Sequence, residues 1–456
     1  MVEHDPVVEV RLSDLETDIR LLEHQIRDSE RVLADKRRQF AELTNRAAPV
    51  SALPTEILVV IFGYLRSHEK SPFPLSTSHV IRRWRDVVIH TPSMWTNIRL
   101  GRQLPKSEDL LSLYLCRSRD CLLDITLFFY FEAGDVDWGT ATPPHFIPGL
   151  LLSEVSRWRR LVVRTRSYQT LFWTFESLRA LSAPCLEYYE MDYDEDNSRG
   201  IGGPIFTGGA PALTSLTLRD ISLGNPPLIA ITDLEICPPQ LSSCFYTEFK
   251  SLLTASSVLR RLIISDYLFI SDYDANRHEP IGIPSLLSLK ISFPQLIHSL
   301  HRYHLLSLIA APNLESLTLD HLRASQMFNF SGVVQVFPLA IKFPKLRVLE
   351  VDLHVVPDGR LSELCFALPA ITHVLGGGTH LLEILDASDG KVMWPQLQSI
   401  TVPVLWCSSH LDTLYNVVSS RVAAGHPIAR LQVPSQFYEM VSTDRLTWLR
   451  ERVELA

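Results

Sequence analysis

The chain has 456 residues, 46% of them hydrophobic and 21% charged, and a formal net charge of −8. Length allows two to four domains, and the composition supports a large core and argues against wholesale disorder. The acidic balance argues against a general nucleic-acid binder, which carries a basic excess or stripe, and leaves room for one local basic patch.

Seven cysteines stand at 116, 121, 185, 237, 244, 365 and 407, an odd number with no CxxC pair. That usage predicts reduced, mostly buried thiols in the cytoplasm or nucleus. The start, Met1-Val2-Glu3-His4-Asp5-Pro6, is acidic and has no apolar core, so no secretory signal is expected. The most apolar run, Leu122 to Phe131, is too short to span a bilayer and contains Asp124. Neither a membrane nor a nucleic-acid partner is expected.

Residues 1–46 carry a heptad pattern. The a positions are Leu12, Ile19, Ile26, Leu33 and Phe40; the d positions are Leu15, Leu22, Ser29, Lys36 and Leu43. No Gly or Pro interrupts them, and a sustained 3.5-residue period favours a coiled coil. The helix would be roughly 50 Å long. Ser29 and Lys36 weaken the seam in its middle. Two uses stay open: self-association through residues 12–43, or an amphipathic helix folded back on the body.

Residues 49–98 read as helices in series. Leu53-Pro54-Thr55-Glu56 puts proline where a first helical turn tolerates it. Ile57, Leu58, Ile61, Phe62 and Leu65 follow at helical spacing and predict one apolar stripe. Ser71-Pro72-Phe73-Pro74 reads as a break. Val80, Ile81, Trp84, Val87 and Val88 predict a second stripe, with Arg82, Arg83 and Arg85 off it. Thr91-Pro92 stops the helix, and Trp95 reads as a core plug. So small a block cannot enclose all these apolar groups, which predicts that some stay exposed until a partner covers them.

Leu53-Pro54-x-Glu56-Ile57-Leu58-x-x-Ile61-Phe62-x-x-Leu65, then Val80-Ile81-Arg82-Arg83-Trp84-Arg85, then Thr91-Pro92-x-x-Trp95, resembles the F-box motif. In particular it resembles the F-box proteins abundant in mushroom-forming fungi, which often place a coiled-coil helix just before the box. Ile81 stands where such relatives often have cysteine, and residues 66–71 lengthen a loop. The resemblance implies a three-helix F-box that docks the Skp-type adaptor of a cullin–RING ubiquitin ligase. It carries the adaptor face over to Leu53, Pro54, Ile57, Leu58, Ile61, Leu65, Val80 and Trp84.

Residues 105–456 repeat an apolar-x-x-apolar-x-apolar core. It occurs as Trp158/Leu161/Val163, Leu186/Tyr189/Met191, Leu213/Leu216/Leu218, Ile231/Leu234/Ile236, Leu259/Leu262/Ile264 and Leu286/Leu289/Ile291. It continues as Leu314/Leu317/Leu319, Leu346/Leu349/Val351, Leu397/Ile400/Val402 and Ile428/Leu431/Val433, with a weak copy at Ile371/Val374. First members lie mostly 25 to 32 residues apart, with one step of 18, and many copies follow a proline. The pattern resembles leucine-rich repeats, which implies short stacked strands over a continuous apolar interior. Three residues past the third core position the usual Asn or Cys is replaced by Ile221, Pro294 and Leu322, so the array is expected to be irregular. The other reading is an ordinary α/β domain with chance strands. Thr217, Lys290, Thr318 and Glu350 sit between core positions and are expected to face outward and read a partner.

Other constellations are weak. His298, His301 and His304 lack a matching carboxylate or cysteine for a metal. Asp192-Tyr193-Asp194-Glu195-Asp196 is not an EF-hand, because Asn197 and Gly203 stand where Gly and Glu belong. Gly200-Ile201-Gly202-Gly203-Pro204 and Gly376-Gly377-Gly378 lack the Lys-Ser/Thr ending of a phosphate loop and read as flexible connectors. No catalytic motif, metal or cofactor is expected.

The sequence thus predicts an α/β chain of three parts: a coiled-coil helix over 1–46, an F-box over 49–98, and an irregular leucine-rich-repeat solenoid over 105–456. The expected function is a non-catalytic adaptor that holds a Skp-type adaptor, and through it a cullin, at one end and a substrate protein at the other. The alternatives are a ligase-independent binding scaffold, and an enzyme with a site assembled from distant loops.

Overall fold

The structure, a computed structural model, describes the chain apart from residues 1–5, 69–72, 102–107, 130–146, 167, 194–203, 220–226, 238–242, 245, 266–268, 271–278, 293–305, 307, 324–338, 356–360, 378, 387–389, 391 and 404–407. It divides into two compact units: residues 1–95 with 117–119, and residues 96–116 with 120–456.

The first unit opens with α1 (Pro6–Ala47), uninterrupted over 42 residues and about 63 Å long. Residues 11–47 are all exposed, so the apolar heptad positions are not covered by the described residues. After a turn of 3-10 helix at Pro49–Ala52 come α2 (Thr55–His68), α3 (Phe73–Ser78) and α4 (Arg82–Ile89). The stretch expected as a break is partly helical: α3 starts at Phe73, and Pro74 sits in the first turn, where its missing N–H costs nothing. Val80 lies in the turn before α4, and Ile81 is its extended N-cap. Leu58, Phe62, Phe73, Val87, Val88, Met94 and Trp95 form the interior. Phe62 meets Phe73 and Trp84 edge to face, with centroids 6.1 and 5.2 Å away. Trp95 is fully buried, and its indole N–H donates to the Val88 carbonyl at 2.8 Å. Arg83 donates to the carbonyls of Ser51 and Leu53 and so ties the chain before α2 to α4.

The second unit is a parallel sheet of 14 strands that follow one another in chain order. They are β1 (Asn97–Leu100), β2 (Leu123–Phe129), β3 (Trp158–Thr165), β4 (Tyr188–Tyr193), β5 (Ser215–Leu218), β6 (Asp233–Ile236) and β7 (Arg261–Ser265). Then come β8 (Ser288–Ser292), β9 (Ser316–Arg323), β10 (Val348–Val355), β11 (His373–Gly377), β12 (Ser399–Thr401), β13 (Arg430–Gln432) and β14 (Glu454–Leu455). The sheet is open, with β1 and β14 as its edges, and it begins at Asn97, ahead of the expected position 105. Two further pairs of two-residue strands lie outside it. The described connections differ in length and content. Helices fill some of them, at Tyr168–Leu178, Tyr246–Thr254, Leu361–Ala367, Thr379–Leu385 and Ser408–Ala423.

The repeated core explains the strands. At six copies a proline occupies the second position of a β-turn, where its fixed φ is preset. In each, the first core residue donates back across the turn: Leu186 to Ala183, Leu213 to Ala210, Leu286 to Ile283, Leu314 to Ala311, Leu346 to Phe343 and Leu397 to Trp394, at 2.9–3.2 Å. The strand begins two residues later. Its second and third core residues point the same way by the two-residue period. The register stacks like on like: Leu262, Leu289, Leu317 and Leu349 are neighbours in one row, and Ile264, Ile291, Leu319 and Val351 in the next. All eight are at most 1% exposed.

The expected connector at Gly376-Gly377 is instead part of β11. A Cβ on Gly376 would lie 2.7 Å from the Val351 carbonyl oxygen and from the Leu381 side chain. Glycine is there because a backbone and a packed leucine approach closely. The thiols also differ from expectation. Five free cysteines are described, and only Cys365 among them is buried.

Candidate protein-docking surfaces

In the first unit, α2 carries apolar side chains on two faces. Leu58 and Phe62, four residues apart, point inward and are 0% and 2% exposed. Ile57, Val60, Ile61, Tyr64 and Leu65 point outward and are 38–70% exposed. The expected single stripe is thus split, because residues 57, 61 and 65 and residues 58 and 62 lie on adjacent helical rows. Val80, in the turn before α4, is 56% exposed. Leu53 is half-buried, held through its carbonyl by Arg83, and Pro54 is exposed. Trp84 is half-buried against Phe62, and its indole N–H is buried without an acceptor among the described residues.

The eight residues expected at this surface therefore do different work. Ile57, Ile61, Leu65, Val80 and Pro54 offer exposed surface, Leu53 and Trp84 edge it, and Leu58 belongs wholly to the interior. Leu58 is four residues before Phe62 on the same buried side, where Phe62 meets Phe73 of α3 and Trp84 of α4. Sequence reasoning missed Val60 and Tyr64. The repeat of apolar residues at 57, 60/61 and 64/65 carries that signal as a second helical stripe.

In the second unit, the sheet face opposite the aliphatic rows is mostly polar, with Val162, Ile263 and Leu375 among its residues. Its densest part spans β3 to β6. Glu190, only 4% exposed, accepts from the Tyr188 hydroxyl at 2.7 Å and from Arg164 at 2.9 Å, with Arg160 at 3.8 Å. Burial alone would raise the Glu190 carboxyl. The bonds from Tyr188 and Arg164, with the charges of Arg164 and Arg219, outweigh burial and hold it below the usual carboxylate range. Asp192 lies 3.7 Å from both Arg164 and Arg219, and Arg219 reaches Glu235 at 3.9 Å. Arg160 stacks over the Tyr188 ring, 4.2 Å from its centroid. Further along, Lys290 pairs with Asp320, and Thr318 donates to Glu350 at 2.9 Å.

Thr217, Lys290, Thr318 and Glu350 do stand on this face. Thr217 and Thr318, however, are 4% and 7% exposed. In register they lie between longer neighbours, Glu190 and Glu235 for Thr217, Lys290 and Glu350 for Thr318. The longer side chains cover them and present the surface. Neighbouring outward residues pair opposite charges, so the face is a network of ion pairs and hydrogen bonds rather than a field of one sign, with the Arg219 Nε–H buried without a hydrogen-bond acceptor among the described residues.

His298, His301 and His304, residues 194–197 and residues 200–203 lie outside the described residues. Among the described residues no cluster of three or more His, Cys, Asp or Glu has metal-binding geometry, and no helix is long and apolar enough to cross a membrane.

No family model matches the chain, and no curated protein matches it. Among solved structures, it is similar to the crystal structure of a Bacteroides fragilis protein, a structural-genomics target, at 14% identity and a TM-score of 0.26. The match covers 66% of this chain and 66% of that one, and at that score it assigns neither fold nor role.

Proposed function

We propose that this chain is a non-catalytic, substrate-recognising adaptor of a cullin–RING ubiquitin ligase. In this reading residues 49–98 are an F-box, residues 105–456 an irregular leucine-rich-repeat array, and α1 a coiled-coil arm. The outward row of α2, with Val80, docks a Skp-type adaptor. The polar face of the sheet holds the target protein. The observation that carries the reading is the apolar row Ile57, Val60, Ile61, Tyr64 and Leu65 left exposed on a helix whose other face is already packed. Contiguous exposed apolar groups of this kind mark interaction surfaces. The motif order around Leu53-Pro54 and Trp84 supplies the kind of partner.

The test is binding of the full chain to a purified Skp-type adaptor. Ile57→Asp with Ile61→Asp should abolish it while leaving the melting temperature near that of the wild type, because both side chains face solvent. Leu58→Ala should instead lower stability by about 2–5 kcal/mol, as buried large-to-small changes do. Undiminished adaptor binding by the double aspartate variant would sink the assignment. A wild-type chain that ignores the adaptor but captures a protein through residues 105–456 would favour the ligase-independent scaffold.

A further inference from the structure

The a/d seam of α1 has no occupant among the described residues. Leu12, Ile19, Ile26, Leu33, Phe40 and Leu43 are each 49–73% exposed. The helix does approach the block that follows it, but with other residues: Arg38, Ala41, Glu42, Asn45 and Arg46 line a cleft of about 560 Å³ shared with Ser51 and residues 79–83 and 85. The approach uses the flank of the helix and leaves Leu33, Phe40 and Leu43 free. Among the described residues nothing covers the seam, which leaves it open to a second helix.

The charges beside the seam identify the occupant. At the e and g positions from Leu12 onward stand Glu16, Asp18, Glu23 and Glu30, with no basic residue until Arg37. Beyond them stand Arg37 and Arg46, with Lys36 on the seam itself, and no acidic residue. The seam is thus acidic along its first part and basic along its last. A parallel copy would set like against like, with Asp18 facing Glu23 of the partner subunit and Lys36 facing Lys36 of the partner subunit. An antiparallel copy sets the acidic part against the basic part. It brings Arg37 beside Glu16 or Glu23 of the partner subunit, according to register, and gives Lys36 an isoleucine and its flanking glutamates instead of a second lysine.

We propose that α1 is a self-complementary arm through which two copies of this chain associate as an antiparallel dimer, acidic half on basic half. The arrangement is isologous and closes at two copies. It sends the two Ala47 ends in opposite directions, roughly 50 Å apart, so each copy's α2 surface stays on its own side. The proposal does not rest on the F-box reading, since it uses only α1.

The sign of the salt dependence separates this from its rivals. For the full chain in sedimentation equilibrium, raising salt from 50 to 500 mM should weaken the dimer at least severalfold, because it screens attraction. A parallel dimer would tighten over the same range, because salt would screen repulsion. Glu16→Lys with Glu23→Lys should weaken the dimer about tenfold. Adding Lys36→Glu and Arg37→Glu in the same chain should restore it, which no folding defect would do. A chain that stays monomeric at tens of micromolar overturns the proposal. So does a dimer that tightens with salt, an oligomer larger than two, or a fourfold charge swap that fails to rescue.

Discussion

Leu317, Glu350 and Lys290 occupy neighbouring strands but should differ sharply in what they contribute. Leu317 is 0% exposed, with Leu289 and Leu349 in register on either side. The strand ladder pins both neighbours, so the space left by Leu317→Ala cannot close. The loss should fall at about 3–5 kcal/mol, the upper part of the range for such truncations. Glu350→Ala removes the acceptor 2.9 Å from the Thr318 hydroxyl, and Thr318 is 7% exposed. An unpaired, nearly buried hydroxyl costs about 1 kcal/mol. Lys290→Ala breaks the pair with Asp320, whose partners are 38% and 20% exposed. Solvent screens that pair, and its loss should cost less than about 1 kcal/mol. Because each strand touches mainly its two neighbours, the damage should be local. Urea unfolding gives the total, and hydrogen exchange of the β8, β9 and β10 amides shows where it falls. If Lys290→Ala proved as costly as Leu317→Ala, the inward and outward rows would be wrongly assigned.

Three further substitutions test the interior and the polar network. Tyr189→Phe should leave stability unchanged or raise it by about 1 kcal/mol in thermal melts, since the Tyr189 hydroxyl is buried with no partner among the described residues. Gly376→Ala should destabilise by about 1–3 kcal/mol, because the new Cβ meets the Val351 carbonyl, which is backbone and cannot turn aside. Glu190 has a folded pKa below its unfolded one, so its contribution is present above the ordinary glutamate range and fades as pH falls through the lower, folded value. Glu190→Gln should therefore lower stability at pH 7 and flatten the acid limb of a stability–pH curve.

The strands were legible because proline, turn and alternating aliphatics act locally. All eleven repeated cores, including the weak one at Ile371/Val374, place their second residue on a strand of one sheet. β1, β2 and β14 were not legible as repeats. The apolar run at Leu122 to Phe131 shows as hydrophobic but has no preceding Pro-turn, and Glu454–Leu455 is too short to display a period. The α2 surface was half legible. Helical spacing groups residues 57, 58, 61, 62 and 65 on one broad stripe. Only the positions of α3 and α4 decide that Leu58 and Phe62 face inward while Ile57 and Ile61 do not. The burial of Thr217 and Thr318 depends on the lengths of residues on neighbouring strands, 18 to 32 positions away in the chain, which a single strand's pattern does not contain. Gly376 and Gly377 misled for a related reason. Their composition reads as a loop, while the close packing of Leu381 that demands glycine is a tertiary fact.

If the two surfaces serve two partners, as proposed, their binding should carry opposite thermodynamic signatures. The outward row of α2 is aliphatic with one tyrosine. Covering it removes apolar area from water, which gives a negative heat-capacity change and little response to salt. The sheet face between β3 and β6 carries its own charge pairs: Glu190 with Arg164 and Tyr188, Asp192 with Arg164 and Arg219. An apolar partner laid on it would strip water from these charges and return nothing. A partner must instead exchange hydrogen bonds with Arg160, Arg164 and Arg219 or their carboxylates. Such contacts weaken as salt rises from 50 to 500 mM, because they lie within a Debye length of solvent. Calorimetry of the full chain with a Skp-type adaptor, and with any protein captured on residues 105–456, would read both quantities. Salt-insensitive capture with a large negative heat-capacity change would place the target off this face, since among the described residues the aliphatic rows of the sheet are buried.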